Sequence, residues 1–352
     1  MSDEPWQDLV DLGRLRDWMD GKGLGRGPIE NPTPLAGGTQ NVLLKFRRDG
    51  RSYVLRRSPR HPRGDGNVTN QREARVLGAL ADSPVPHPRL IAACASTDVL
   101  GASFYLMEPI DGFNATVALP ALHASDAAVR RRMGFALVDG ALALGRVDHV
   151  SAGLKDLGKS EGFLERQVPR WRALLDSYHH YGEWPGPDAI PGISTVADWL
   201  TQNLPPQFTP GLIDGDYHLA NVMFRDDGPE LAAIVDWELA TIGDPLLDMG
   251  WIMATWPDAD GATTSEIAIK PWVGFPDIAE LVEHYAAGSE RDTSRMKWYG
   301  VLACYKLGLI LEGTYARSCA GLASAATGDR LHKSCIKLFR RALGWLEKDK
   351  FA

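Results

Sequence analysis

Cysteine is scarce. The 352 residues hold four, Cys94, Cys304, Cys319 and Cys335, and no two stand in a Cys-x-x-Cys spacing. That excludes a disulfide framework and a paired-cysteine zinc site, and points to reduced thiols in a reducing compartment. Long apolar runs are missing too, so no stretch approaches a membrane span. The opening MSDEPWQDLVDLGRLRDW has no apolar signal core, and a cytoplasmic protein without a membrane partner is expected. Basic residues are not in excess. Lys and Arg number 38 against 45 Asp and Glu, a formal net charge of −7, which argues against nucleic acid as a partner. There is no His-Glu-x-x-His or two-His spacing of a metallohydrolase, no Gly-x-Gly-x-x-Gly dinucleotide loop and no internal repeat. Two sequons, Asn67-Val68-Thr69 and Asn114-Ala115-Thr116, lack a secretory context and read as chance.

What is present is ordinary globular composition, 44% hydrophobic and 24% charged, in a chain long enough for two domains or one two-lobed unit. Leu9, Leu12, Leu15, Trp18 and Met19 recur at helical spacing, and Gly21 and Gly23 end the pattern. This predicts a leading helix over 5–22. A Gly/Pro-rich linker over 25–34 follows. Residues 35–57 read as a β-meander with an Asp49-Gly50 hairpin turn. A helix is expected over 71–80, then apolar runs at 89–94 and 103–107. From Ser125 the character turns helical: 125–146, 160–181, 194–203, 278–287, 294–316 and 329–348. The shift from β-rich to α-rich places a lobe boundary near Pro109, with residues 1–108 on one side and 109–352 on the other.

The stretch around which the chain is organised is LIDGDYHLANVMFRDDGPELAAIVDWELATIGDPLLDMG, residues 212–250. Two apolar runs, 221–225 and 231–237, flank the turn Asp226-Asp227-Gly228-Pro229 and read as a hairpin. Folding it would bring Asn221 and Asp236 together, with Asp216 at the lip. Phosphoryl transfer needs that chemistry: a carboxylate for the attacking hydroxyl, and an amide plus a carboxylate for magnesium.

The motifs resemble those of the aminoglycoside phosphotransferase-like (choline-kinase-like) small-molecule kinases. Gly215-Asp216, Asn221, Ile234-Val235-Asp236-Trp237-Glu238 and Gly243-Asp244-Pro245-Leu246-Leu247-Asp248 match the family pattern. Asp214 stands where the family usually has His. The resemblance implies an α+β, bilobal, protein-kinase-like fold, with a small β-meander lobe and a larger mainly helical lobe. It implies ATP and Mg2+ as cofactors, Asp216 as the base or the acceptor that orients the substrate hydroxyl, and Asn221 and Asp236 as metal ligands. It places Gly37, Gly38, Thr39, Gln40 and Asn41 over the nucleotide phosphates. Arg56 takes the position of the usual strand Lys, and Glu73 is the helix carboxylate that holds it. Glu108 and Ile110 lie in the hinge that meets adenine. Glu238 and Asp214 are further candidates to face substrate. Asp244 and Asp248 read as carboxylates that hold backbone donors, and His218 as a local hydrogen-bonding residue.

Two more segments, Gly158–Trp171 and Trp298–Arg317, resemble the kinase domains fused to acyl-CoA dehydrogenases and their free-standing bacterial relatives. The dehydrogenase domain itself has no room in this sequence. That resemblance implies a hydroxy acid or hydroxyacyl-CoA as acceptor, with Arg166, Arg170, Arg172 and Arg317 available to an anion.

Residues 153–160 (GLKDLGKS) also spell a Walker A pattern. A working P-loop follows a buried strand and opens a helix, and residues 146–152 carry no strand-like run. The competing reading is a loop with Ser160 as helix N-cap. The expected activity is ATP- and Mg2+-dependent phosphorylation of a hydroxyl on a small molecule. The rivals are a catalytically weak nucleotide-binding relative and a P-loop NTPase using Lys159.

Overall fold

A computed structural model describes residues 6–35, 41–60, 64–265 and 267–347. The chain forms two compact units. The first runs to Asp111 and takes in Ala152–Leu154 and Ala233–Ala240. The second holds Gly112–Ser151, Lys155–Ala232 and the chain from Thr241 onward.

The first unit begins with α1 (Leu12–Gly21), whose N-cap Asp11 accepts the Arg14 N–H, a bond that satisfies a free donor of the first turn. Five strands follow: β1 (Glu30–Pro34), β2 (Val42–Arg48), β3 (Arg51–Arg57), β4 (Leu90–Cys94) and β5 (Phe104–Met107), with α2 (Gly66–Ala79) between β3 and β4. The sheet order is β1-β2-β3-β5-β4 and every neighbouring pair is antiparallel. β2 and β3 turn at Asp49 and Gly50, with φ of 51° and 75°, the left-handed pair that a tight hairpin requires. Leu15 and Met19 of α1 pack with Leu44, Phe46, Tyr53 and Leu55. Side chains alternate across a strand, so Arg56 faces away from that cluster.

The segment read as a linker contains a strand. β1 has the sequence ENPTP and lies on the sheet edge, where a proline need not donate to a neighbour.

In the second unit, α3 (Ala121–Ser125) and α4 (Ala127–Gly145) lead to α5 (Gln167–Ser177) and α6 (Ile193–Gln202). The strands are β6 (Gly211–Ile213), β7 (Val222–Phe224), β8 (Leu231–Ile234) and β9 (Thr241–Gly243). β6 pairs with β9, and β7 with β8 as the expected hairpin. The chain enters the first unit at Ala233, near the end of β8. The last helices are α7 (Leu246–Thr255), α8 (Ile278–Gly288), α9 (Met296–Cys319) and α10 (Ala325–Glu347). α7 and α9 approach so closely that a Cβ on Gly250 would lie 2.5 Å from the Tyr299 carbonyl oxygen.

The helix expected over 160–181 is shorter. Residues 161–166 are turns and α5 starts at Gln167. Pro169 then falls in the first turn, where its missing N–H costs nothing. Ser160 therefore caps no helix. No strand precedes Gly153 and no helix opens at Ser160, so the Walker A sequence lacks the setting a P-loop needs. The four cysteines are free, and Cys94, Cys304 and Cys335 are buried. Among the described residues no helix is long and apolar enough to cross a membrane.

Candidate active site

The expected residues fall in two groups, one in each unit. In the first unit, β3 presents Arg56 to α2. Arg56 Nη2 donates to Glu73 Oε1 at 2.7 Å, and Nε lies 2.7 Å from Oε2. Nη2 also reaches Asp236 Oδ1 at 2.8 Å. Tyr105, opposite Arg56 in the β3–β5 register, donates its hydroxyl to Glu73 Oε2 at 2.7 Å. Glu73 is wholly buried. Such a carboxylate is tolerable only when paired and hydrogen-bonded. Burial opposes the Arg56 charge, but Tyr105, Glu73 and Asp236 hold the guanidinium protonated above its ordinary value.

Asp236 has φ +66°, a left-handed conformation that is costly outside glycine and recurs at functional sites. The turn is pinned by the buried Trp237, whose Nε1 donates to the Ile234 carbonyl at 3.1 Å. Carboxylate oxygens of Glu73, Asp236 and Glu238 lie within 4.8 Å of one another, a set of hard oxygen donors suited to magnesium. Asp236 is 41% exposed at its side chain, which leaves its second oxygen open to a ligand.

In the second unit, β6 ends in a loop from Asp214 to Asn221 that is fastened from below. Asp248 of α7 is buried and accepts the N–H groups of Asp214 (2.9 Å) and Gly215 (3.0 Å). Burial pushes its carboxyl up to about 6 although those donors and Lys306 pull it down. Asp214, fully buried, accepts the Asp216 N–H at 3.0 Å. Gly215 has φ +87°, which turns the chain sharply enough for this fastening. Tyr217 points inward and donates to the Leu137 carbonyl at 2.7 Å. Asp244 is buried and accepts from Leu246 N and Tyr299 OH. Burial raises its carboxyl despite those bonds.

That scaffold leaves Asp216 presented and restrained. Its side chain is 33% exposed, with Oδ1 3.3 Å from His218 Nε2. Asn221 Nδ2 donates to the Asp216 carbonyl (3.1 Å) and to Oδ2 (3.2 Å). The Asn221 amide oxygen accepts no hydrogen bond from the described residues, so it is available to a cation. His218 Nδ1 accepts the Ala220 N–H at 3.2 Å, which in a neutral ring puts the proton on Nε2, facing Asp216. His218 is thus the local hydrogen-bonding residue expected. A restrained carboxylate is equipped to accept a hydroxyl proton, and an amide oxygen five residues on can serve a metal.

The remaining expected residues are dispersed. Gly37, Gly38, Thr39 and Gln40 lie outside the described residues. Asn41 is half-buried just before β2. Glu108 pairs its side chain with Arg51 at 2.8 Å and its N–H with the Arg89 carbonyl at 2.9 Å. The Ile110 N–H donates to none of the described residues and is free for a ligand. Arg166 is committed to the Lys159 and Glu161 carbonyls, and Arg172 lies 3.7 Å from Asp198.

One residue of this loop's surroundings escaped the sequence reading. Lys306, half-buried on α9, donates to the Gly215 carbonyl at 3.0 Å. Its ammonium lies 4.9 Å from the Trp251 ring centre and 5.4 Å from that of Trp171, within cation–π range. Burial lowers it to about 8, against the pull of Asp216, Asp248 and Asp214 and with Arg170 repelling. A signal existed: Lys306 is the sole charged residue between Lys297 and Glu312, in a helix largely buried all round.

Comparison with known proteins fits this geometry. Residues 32–299 match the phosphotransferase enzyme family (APH), and the chain belongs to that family. Acyl-CoA dehydrogenase family member 11 of Gallus gallus is 28% identical over 314 residues, covering 87% of this chain and 39% of that protein. Acyl-CoA dehydrogenase family member 10 of Mus musculus is 27% identical over 323 residues, covering 89% and 29%. This chain thus spans well under half of each. Among solved structures, a Ralstonia eutropha protein provisionally assigned as an aminoglycoside phosphotransferase superposes with a TM-score of 0.77 at 26% identity, over 95% of this chain and 98% of that one. A thermostable mutant of aminoglycoside phosphotransferase APH(4)-Ia, in ternary complex with ADP and hygromycin B, shares the fold (TM-score 0.56, 15% identity, 93% and 98% covered). The fold is protein-kinase-like: an antiparallel N-terminal sheet, then a mainly helical region.

Proposed function

We propose that the protein is an ATP- and Mg2+-dependent phosphotransferase acting on a hydroxyl of a small molecule in the cytoplasm. The observation that carries the reading is the Asp216–Asn221 loop, where the backbone is fastened by Asp214, Asp248 and Lys306 while one carboxylate and one amide oxygen stay available. Asp216 accepts or orients the proton of the attacking hydroxyl. Asn221 and Asp236 hold the metal, with Glu238 as a further oxygen donor nearby. Arg56, braced by Glu73, faces the nucleotide phosphates, and the Glu108–Ile110 backbone meets the adenine edge. Bound magnesium would neutralise charge on the transferring group. The protein's part is placement and electrostatics, with little covalent chemistry. Asp214 acts by positioning, since its carboxylate is turned to the Asp216 backbone.

The fold neighbours' complexes with ADP and AMP-PNP support an adenine nucleotide. The names of the longer relatives favour a hydroxy acid or hydroxyacyl-CoA as acceptor. A coupled ADP-release screen of hydroxy acids, hydroxyacyl-CoAs and aminoglycosides with ATP and Mg2+ tests this. Turnover is expected with the acyl class. Turnover confined to aminoglycosides would overturn the acceptor assignment. ATP binding without turnover of any member would overturn the catalytic one.

A further inference from the structure

Lys306 and Arg170 share one indole. The Arg170 guanidinium carbon lies 5.2 Å from the Trp171 ring centre and the Lys306 ammonium 5.4 Å. Neither cation has a carboxylate within ion-pair distance among the described residues. The Arg170 side chain makes no hydrogen bond there. Lys306 makes one, to Gly215, while an ammonium carries three donors. Two N–H groups are left over, on a half-buried side chain that lies against Trp171 and Trp251. Holding a half-buried cation beside a second, exposed one, with no carboxylate at ion-pair distance from either, is unfavourable.

We propose that Lys306 and Arg170 form an anion-binding subsite beside the Asp216 loop, receiving an anionic oxygen of the reacting pair. The source is either the acceptor's carboxylate or the phosphoryl group in transit. The subsite deepens the kinase reading, and rests on it only for its place in the reaction. An anion there would complete the Lys306 hydrogen bonds, and its link to Gly215 would set the acceptor relative to Asp216. The pair disfavours a polycation at the same position, because its ammonium groups would meet two positive charges.

The test uses the full chain with 13C,15N-labelled lysine. The Lys306 ε signal is followed while 3-hydroxybutyrate, its neutral amide or inorganic phosphate is added, and Lys306→Gln assigns the resonance. The anions are expected to shift the signal and raise its titration midpoint, and the amide to do neither. Loss of a charge-assisted hydrogen bond predicts about tenfold weaker 3-hydroxybutyrate binding in Lys306→Gln. Arg170→Gln, at an exposed position, is expected to weaken it by a smaller factor of about three. Tighter binding of the hydroxy acid assigns the subsite to the acceptor, and tighter binding of phosphate assigns it to the transferred group. An unmoved Lys306 signal, or equal affinity in parent and both variants, overturns the proposal. Asp216→Asn separates the two readings. It should keep the anion-induced shift and lose ADP release. Full ADP release in that variant would sink the role of Asp216 and leave the subsite standing.

Discussion

Two cations, the buried Arg56 in the first unit and the half-buried Lys306 in the second, sit in opposite electrostatic circumstances. Arg56 is enclosed by Glu73, Asp236 and the Tyr105 hydroxyl, and its charge is held more firmly than in water. Lys306 is enclosed by two indoles and a carbonyl, and its charge is weakened, down to about 8. Both are withdrawn from water, wholly or in part, so burial alone does not decide the sign. The number of anionic partners at hydrogen-bond distance does. A matched cation stabilises the fold and fixes its neighbours. An undermatched one is costly by itself and gains most from a ligand.

The comparison can be broken most forcefully at Asp216. Asp216→Asn removes the proton acceptor, and ADP release should fall by about 10²–10⁴-fold. It also takes one anion from Lys306, whose titration midpoint should move below the parent's. Unchanged turnover would remove the catalytic reading.

Stripping Arg56 comes next. Arg56→Ala leaves Glu73 wholly buried without its counter-charge, and urea unfolding should show a loss of about 3–5 kcal/mol. A loss below about 1 kcal/mol would mean that the pair is not what braces α2 to β3.

The Lys306 side is sharpened by pH. An unfolded lysine titrates near about 10.4, above the folded value of about 8. Between those limits the unfolded chain binds more protons, so the parent gains stability as pH rises. Lys306→Met lacks that gain. Its Tm relative to the parent should drop by on the order of 2–4 °C between pH 8 and 10. A flat difference would show that Lys306 titrates normally.

The smallest effect is expected outside both groups. Lys159 is exposed in a loop, and Lys159→Ala should leave ADP release intact and change stability by less than about 0.5 kcal/mol. Loss of ADP release there, with Asp216→Asn active, would restore the P-loop reading.

Much of the local structure was legible. Asp49-Gly50 and the Asp226–Pro229 cluster marked hairpins because their backbone demands are met within a few residues. The expected helices at 125–146, 194–203 and 278–287 match α4, α6 and α8 to within two residues at either end. The misses also have local causes. β1 hid behind two prolines that only an edge position tolerates, and α5 began late because Pro169 needs the first turn. The β6–β9 pairing was not legible, since three-residue strands carry too little pattern to announce a partner about thirty residues away.

The sequence alone determined which oxygen-bearing residues stand near one another along the chain: Asp216 five residues before Asn221, and Asp236 near the end of the second run of the hairpin. Such spacings are covalent and survive any packing. Tertiary structure decided which charges are matched. Arg56 meets Asp236 across 180 positions, and Lys306 reaches Gly215 across 91. Whether a charge is welcome depends on the groups that burial gathers around it, and those are set by the fold rather than by neighbours in the chain.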